Sequence, residues 1–189
     1  MRFGQVANFK TNSNIPIDKF AIAINSNLKK AIRIQSAEEV EERFHSRLSC
    51  KRKTYRYVIN CSEQGTAIYR NLETHIPMKL DIEKMQKAAK YFEGEHDFKA
   101  FVTDNKEREN CVRKIFKASI DQQENKLVFT FIGNGFLRYQ VRNMIGYLIK
   151  IGEEKATPES VIKVLESKDR TKSGKTAPAE GLYLYNVEY

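Results

Sequence analysis

An α+β fold built on one antiparallel sheet is the architecture that this sequence predicts. Segments in which apolar and polar residues alternate, as in half-buried strands, interleave with segments whose apolar residues recur at helical spacing. A polar DQQEN stretch between CVRKIFKASI and KLVFTFI is a hairpin signal. The 189 residues, 41% of them hydrophobic, suffice for one core, or for one domain and part of a second.

The first 48 residues predict a short α/β segment. GQVANFKT is typical of a strand, IPIDKFAIAINSNL of a helix that begins after Pro16, and IRIQSAEEV of a second strand. Because the first strand begins almost at residue 1, we interpret residues 1–48 as the remnant of an N-terminal half-domain.

Residues 49–189 have a more complete pattern. KTYRYVIN alternates, with Tyr55, Tyr57 and Ile59 on one face. Asp81 is expected to cap the helix IEKMQKAAKYF, and a Thr-Pro step opens a short helix before the final strand, GLYLYNVEY. The order β-α-β-β-α-(α)-β is that of the ferredoxin-like, split βαβ fold, an antiparallel sheet with helices on one face. Residues 49–189 are therefore expected to form one complete domain.

Charge points to a polyanionic partner. Thirty-three Lys and Arg against 24 Asp and Glu leave a net charge of +9, a surplus common in nucleic-acid-binding proteins, although a basic surface also serves solubility. Tyr55 and Tyr57 are interleaved with Lys53 and Arg56, as in a base-stacking platform beside phosphate contacts, but tyrosines on half-buried strands also serve as core.

Several other classes of protein are disfavoured. Cys50, Cys61 and Cys111 are far apart and lack metal-ligand spacing, which argues against a zinc site or disulfide framework and fits a reducing cytoplasm. No apolar run is long enough for a membrane span. GNG at 133–135 lacks the rest of a nucleotide-binding motif, and the three histidines stand apart.

Arg142 is a charged residue at a position where the apolar pattern does not predict one. A helix beginning near Arg138 places an apolar stripe on one side, and Arg142 lies at its margin. An unpaired charge there costs several kcal/mol, so an anion is expected to meet it. That anion could be structural, catalytic or a ligand. The stripe consists of Val141, Met144, Ile145 and Leu148.

Four stretches, in this order, carry a resemblance to a known family: FHSRLSCKRKTYRYVI (44–59), GEHDFKAF (94–101), GNGFLRYQVRNMIGYL (133–148) and KDRTKSGKTAPAEGLYL (168–184). Together they resemble the tRNA pseudouridine synthase I family. The resemblance implies isomerisation of uridines 38, 39 and 40 in the tRNA anticodon stem-loop, without metal or cofactor. It also implies a homodimer and a fold of two pseudo-symmetric halves.

The resemblance assigns roles to individual residues. The arginine matching Arg142 pairs with a catalytic aspartate, orienting it and favouring its charged form. The tyrosine matching Tyr55 packs against the target base, and Leu182 is expected near that base. The residues expected to meet tRNA phosphates are Arg47, Lys51, Arg52 and Lys53. Plain alternatives remain: Arg142 as fold support beside a core glutamate, Tyr55 as core, and the basic run as a solvated face.

The catalytic aspartate of the family belongs to a Gly-Arg-Thr-Asp-x-Gly-Val-His-Ala motif, expected just before Gly4. The 189 residues do not contain this motif. We therefore expect a truncated chain that does not isomerise uridine by itself. The alternative is a non-catalytic RNA-binding module of ferredoxin-like topology, which would also bind tRNA.

Overall fold

A computed structural model of the chain describes residues 4–103 and 110–189. These residues form two compact units. The smaller unit spans residues 6–49, and the larger one is built from residues 50–189 with the first few described residues. Within the described ranges, every helix is too short or too polar to cross a bilayer.

The smaller unit contains one helix, α1 (Ile17–Asn27), as predicted, and none of its residues is buried. The strands predicted over GQVANFKT and IRIQSAEEV are wrong, because neither segment makes the ladder of hydrogen bonds that defines a strand. Side-chain hydrogen bonds hold these segments instead. The Asn8 side chain accepts from the Ser46 amide (2.9 Å), and the Asn25 side chain accepts from the Ile34 amide (2.8 Å).

The larger unit is built on one six-stranded sheet that is antiparallel except at one short pairing. The mixed α+β class is thus confirmed. In chain order the strands are β1 (Arg52–Asn60), β2 (Thr74–His75), β3 (Gly94–Asp97), β4 (Val112–Gln123), β5 (Lys126–Gly133) and β6 (Leu182–Glu188).

Strand β1 lies in the interior of the sheet. Strands β5, β4 and β3 follow on one side, whereas β6 and β2 share its other edge. In the middle of the sheet Tyr57 pairs with Phe129, which pairs with Ile120. All three side chains are buried, so this row lies on the core face of the sheet.

The core combines this sheet face with helices α2 (Ile82–Lys90), α3 (Gln140–Gly152) and α4 (Ser160–Ser167). Asp81 caps α2 as predicted, accepting from the Lys84 amide at 2.9 Å. Helix α3 begins two residues later than Arg138, because Tyr139 adopts a left-handed conformation with φ of 62°.

Strand β3 was not predicted. Within the stretch EGEHDF, His96 pairs with Arg113 of β4 in an antiparallel ladder. Four half-exposed, mostly polar residues carry no apolar alternation, so the signal on which a strand prediction depends is missing.

Candidate active site

Arg142 lies in the first turn of α3, half-buried, as expected of a residue at the margin of the apolar stripe. Its Nε donates to the carbonyl of Ala177 (2.7 Å), and the Ala177 amide donates to the Arg142 carbonyl (3.0 Å). The guanidinium carbon also lies 5.1 Å from the centre of the Tyr139 ring, within cation–π range. One hydrogen bond and a ring contact therefore fix the position of the guanidinium, and the backbone hydrogen bond holds the Ala177 segment against the start of α3.

The two Nη atoms of Arg142 differ from its Nε, because they have no partner in the described part of the chain. Within residues 4–103 and 110–189, no carboxylate lies at ion-pair distance from Arg142, and its two Nη atoms make no hydrogen bond. Pairing with a core glutamate is therefore not observed there. An arginine held through Nε with a free pair of Nη donors has the geometry that accepts a carboxylate or phosphate in bidentate fashion.

A glycine on α3 makes this arrangement sterically feasible. A Cβ atom at Gly146 would lie 1.9 Å from the carbonyl oxygen of Lys175, a distance that no side chain tolerates. The backbone leading from Lys175 to Ala177 therefore rests directly on the helix, one turn beyond Arg142. This close approach brings the Ala177 carbonyl within reach of the arginine.

The two tyrosines of β1 have different environments. Tyr57 is fully buried, and its hydroxyl contacts the hydroxyl of Thr74 (2.5 Å) and donates to the carbonyl of Pro178 (2.9 Å). Burial, which disfavours the charged phenolate, raises the pKa of Tyr57 to about 12. Tyr55 is only half-buried and packs edge-on against Phe136, with ring centres 5.2 Å apart. Tyr57 is therefore a core residue, whereas Tyr55 keeps an accessible surface.

Leu182 lies directly opposite Tyr57 in the β1–β6 pairing, and Leu184 lies opposite Tyr55. Leu182 and Tyr55 are consequently diagonal neighbours on one face of two adjacent strands. A Cβ at Gly181 would lie 2.6 Å from the Val58 carbonyl, so the chain enters β6 in close contact with β1. The structure thus makes Leu182 and Tyr55 neighbours on adjacent strands, and their contact with a base stays a prediction.

Within the larger unit, the predicted phosphate contacts do not share one face of the sheet. Alternation along β1 turns Arg52 and Lys53 to opposite faces of the sheet. Arg52 is exposed, with its guanidinium carbon 5.1 Å from the ring centre of Phe116, whereas Lys53 is half-buried and Lys51 precedes the strand. Arg47 is exposed and belongs to the smaller unit.

Several residues that shape the site were not predicted. Tyr139 and Ala177 contact Arg142 directly, and Asn143, Arg170 and Thr176 form a hydrogen-bonded cluster next to it. All five lie inside the GNGFLRYQVRNMIGYL and KDRTKSGKTAPAEGLYL stretches. Their position in these stretches was the available signal, but no sequence pattern indicates which polar side chains meet.

An arginine whose Nη donors have no partner in the described part of the chain is equipped to bind an anion. Residues 88–189 match the family described as tRNA pseudouridine synthase. The chain is 45% identical to the tRNA pseudouridine synthase A of Ruminiclostridium cellulolyticum over 188 residues, which is 99% of this chain and 77% of the relative. It is 42% identical to that of Acetivibrio thermocellus over 98% of this chain and 76% of the relative. The chain belongs to the tRNA pseudouridine synthase family.

Proposed function

We propose that this chain provides the arginine and base-contacting side of a site that isomerises uridine to pseudouridine at positions 38, 39 and 40 of the tRNA anticodon stem-loop. The observation that carries the proposal is Arg142, clamped by Ala177 and Tyr139 but with two Nη donors that have no partner among the described residues. The reaction is inferred from family membership. The geometry of Arg142 suggests where the carboxylate of the family's catalytic aspartate would bind.

The reaction breaks the C1′–N1 glycosidic bond, turns the uracil and joins C5 to C1′ of the ribose, after which C5 loses its proton and N1 gains one. In the family that this chain resembles, an aspartate starts the reaction. It attacks the nucleotide at the base or removes a sugar proton. A bidentate pair with Arg142 would orient that carboxylate and keep its pKa low, so that it stays ionised.

Tyr55 and Leu182 are proposed to contact the target base. Both are half-buried, and both lie on the sheet face that also carries Tyr57. An aromatic ring and an aliphatic side chain on neighbouring strands suit a flat, uncharged base, because stacking and apolar contact need no charge. In the resemblance, this tyrosine is also a candidate for proton handling during the isomerisation.

Three aspartates in the described part of the chain have other contacts. Asp81 caps α2, Asp97 pairs with Lys168 at 2.9 Å, and Asp18 pairs with Lys19 at 3.1 Å. None stands in a Gly-Arg-Thr-Asp motif. We therefore propose that the 189 residues alone bind tRNA but do not turn it over.

The finer architecture is part of the same proposal. The spatial order β6-β1-β5-β4 supports a ferredoxin-like split βαβ core in residues 49–189, since that fold places its last strand beside its first. The assignment of residues 1–48 to a second, pseudo-symmetric half and the homodimer rest on the resemblance, the cytoplasmic location rests on the cysteine pattern, and all three stay predictions.

Tritium release from tRNA labelled at uridine C5 tests the proposed function. The 189-residue chain is compared with a chain extended upstream to carry the aspartate motif. We expect release only from the extended chain. Release from the short chain would mean that another residue supplies the carboxylate. If neither chain released tritium while both bound tRNA, the non-catalytic RNA-binding alternative would replace this proposal.

Arg142→Ala in the extended chain tests the role of the arginine. We expect kcat to fall about 100-fold or more, because an oriented charge partner is lost, while tRNA affinity changes only a few-fold. The control is Lys150→Ala, which removes the other cation of α3, a residue over the Tyr147 ring. Equal losses of turnover and affinity would assign Arg142 to tRNA binding.

A further inference from the structure

Asn143 follows Arg142 on α3 and joins three separate segments of the chain. Its amide nitrogen donates to the carbonyl of Phe101 (2.6 Å) and lies 3.3 Å from the hydroxyl of Thr103. Its oxygen accepts from Arg170 (3.0 Å) and from the hydroxyl of Thr176 (2.6 Å). Asn143 is completely buried, so each of these bonds is protected from competition with water.

Arg170 closes this cluster from the other side. One terminal nitrogen donates to the Ser173 hydroxyl (3.0 Å) and the Gly174 carbonyl (2.8 Å). The other donates to Asn143 and to the Thr176 hydroxyl (2.9 Å). The guanidinium thus holds the loop from residue 170 to residue 176 in one shape, directly before the Ala177 carbonyl that binds Arg142.

The acceptors around Arg170 are all neutral. No carboxylate within the described part of the chain pairs with it, and burial lowers the pKa of its guanidinium. Neutral acceptors leave the positive field of Arg170 without a cancelling negative charge among the described residues. That field adds to the attraction that Arg142 offers to an anion.

We propose that Asn143, Arg170 and Thr176 form a positioning junction, which fixes the loop carrying Ala177 and thereby the orientation of the Arg142 guanidinium. Its catalytic consequence rests on the proposed function. The geometric part does not, since it concerns only bonds inside the chain. These are positioning residues, because none of them contacts the outer edge of Arg142.

The geometric part is tested in the 189-residue chain by measuring solvent exchange of the Arg142 Nε proton by NMR. Thr176→Val removes the hydroxyl that bonds both Asn143 and Arg170 but keeps the shape of the side chain. We expect exchange at Arg142 to accelerate about tenfold, while backbone amides of the β1–β5 pairing stay protected. An unchanged rate at Arg142 in the folded variant would overturn the proposal.

A matched control lies in the same loop. Thr171→Val also deletes a hydroxyl hydrogen bond, to Asp169 at 2.8 Å, but Thr171 is outside the junction. Exchange at Arg142 should therefore stay within about twofold of the parent rate. Equal acceleration in both variants would overturn the proposal, since it would indicate general loosening of the loop.

Arg170→Lys is the second variant, in case Thr176→Val does not fold. It keeps the charge but cannot reproduce the two-pronged contact, so faster exchange at Arg142 is again expected. If the Arg142 Nε proton exchanged at the same rate as in the parent chain, the proposed junction would be contradicted.

In the extended chain that carries the aspartate motif, Thr176→Val should lower kcat about tenfold at constant KM. Thr171→Val should leave kcat close to the value of the parent. Equal kcat values for these two variants would overturn the catalytic role. If the extended parent itself released no tritium, the proposed function would fail, whereas the exchange rates would still decide the junction.

Discussion

Tyr57 illustrates how a single buried hydroxyl links two distant segments. Its oxygen contacts Thr74 on β2 and donates to Pro178, the residue after the carbonyl that clamps Arg142. A phenylalanine would fill the same volume and lose only these bonds. The tyrosine therefore stabilises the position of the Pro178 segment at the site without contacting a substrate.

Tyr57→Phe is predicted to destabilise the folded chain by about 1–3 kcal/mol at pH 7, because the Pro178 carbonyl and Thr74 hydroxyl lose a buried partner. The folded pKa of about 12 exceeds the ordinary value of about 10. The stability contributed by the protonated phenol is thus fully present below pH 10 and is lost as the pH rises through 12.

Urea unfolding at pH 7, 10 and 11 checks this prediction. The free energy of unfolding should fall less steeply with alkaline pH in Tyr57→Phe than in the parent. Tyr69→Phe, which removes a hydroxyl from an exposed side chain, is the control and should follow the parent curve. Parallel decline in Tyr57→Phe and the parent would contradict the assignment.

At single residues, the sequence predicts burial better than it predicts partners. The stripe of Val141, Met144, Ile145 and Leu148 is buried as expected, because helical periodicity determines which side faces the core. The same argument left Tyr55 and Tyr57 equivalent. Their difference comes from Thr74 and Pro178, which tertiary folding brings to Tyr57 and which alternation along one strand cannot reveal.

At the level of elements, the site depends on how closely α3 approaches the chain before β6. Gly146 removes the side chain that would separate them, and the Lys175 carbonyl occupies that space. The Ala177 carbonyl reaches Arg142 only in this packing. Gly146 therefore contributes to the site through the absence of a side chain.

Gly146→Ala is therefore predicted to cost about 1–3 kcal/mol or more, since backbone on both sides must move apart. Gly135→Ala is the matched control: its Cβ would meet only the Arg113 side chain, at 3.7 Å, so a change within about 0.5 kcal/mol is expected. Denaturant unfolding of both variants measures the difference. Equal stabilities would contradict the close approach of α3.

Predicted helices and strands are confirmed where the hydrophobic pattern extends over many residues. The prediction fails for strands that depend on pairing with a neighbouring strand. α2, α3 and the β4–β5 hairpin have strong patterns, although the hairpin turn is shorter than DQQEN because β4 continues through Gln123. β2 and β3 have two and four residues and exist only through their neighbours. Conversely, the two strands expected before residue 49 have suitable residues but no partner in a ladder.

Across the whole molecule, the surplus of +9 is the feature most relevant to tRNA. Its distribution matters as much as its size, since Arg52 and Lys53 lie on opposite faces of the sheet. In the proposed complex with tRNA, a single flat contact with phosphates could not use both residues, so the RNA would either meet one face or pass around the end of β1.

Arg52→Ala should weaken binding of tRNA by the 189-residue chain and reduce the slope of log K against log salt by about 0.7–0.9, the value for one lost phosphate contact. Lys87→Ala is the control, because Lys87 already pairs with Glu159 at 2.6 Å. Filter binding at several salt concentrations gives both slopes. An unchanged slope for Arg52→Ala would place this residue outside the RNA contact.

The first and last strands of the larger unit close on each other: the Lys51 amide donates to the Glu188 carbonyl at 2.8 Å, and Arg52 pairs with Glu188. The two ends of the segment 50–189 are therefore close together in the sheet. A short linker from Tyr189 back to Cys50 would therefore make a closed loop without disturbing the sheet. New ends could be opened at the Glu124–Asn125 turn, so that the hairpin becomes the terminus and the order of the strands is circularly permuted.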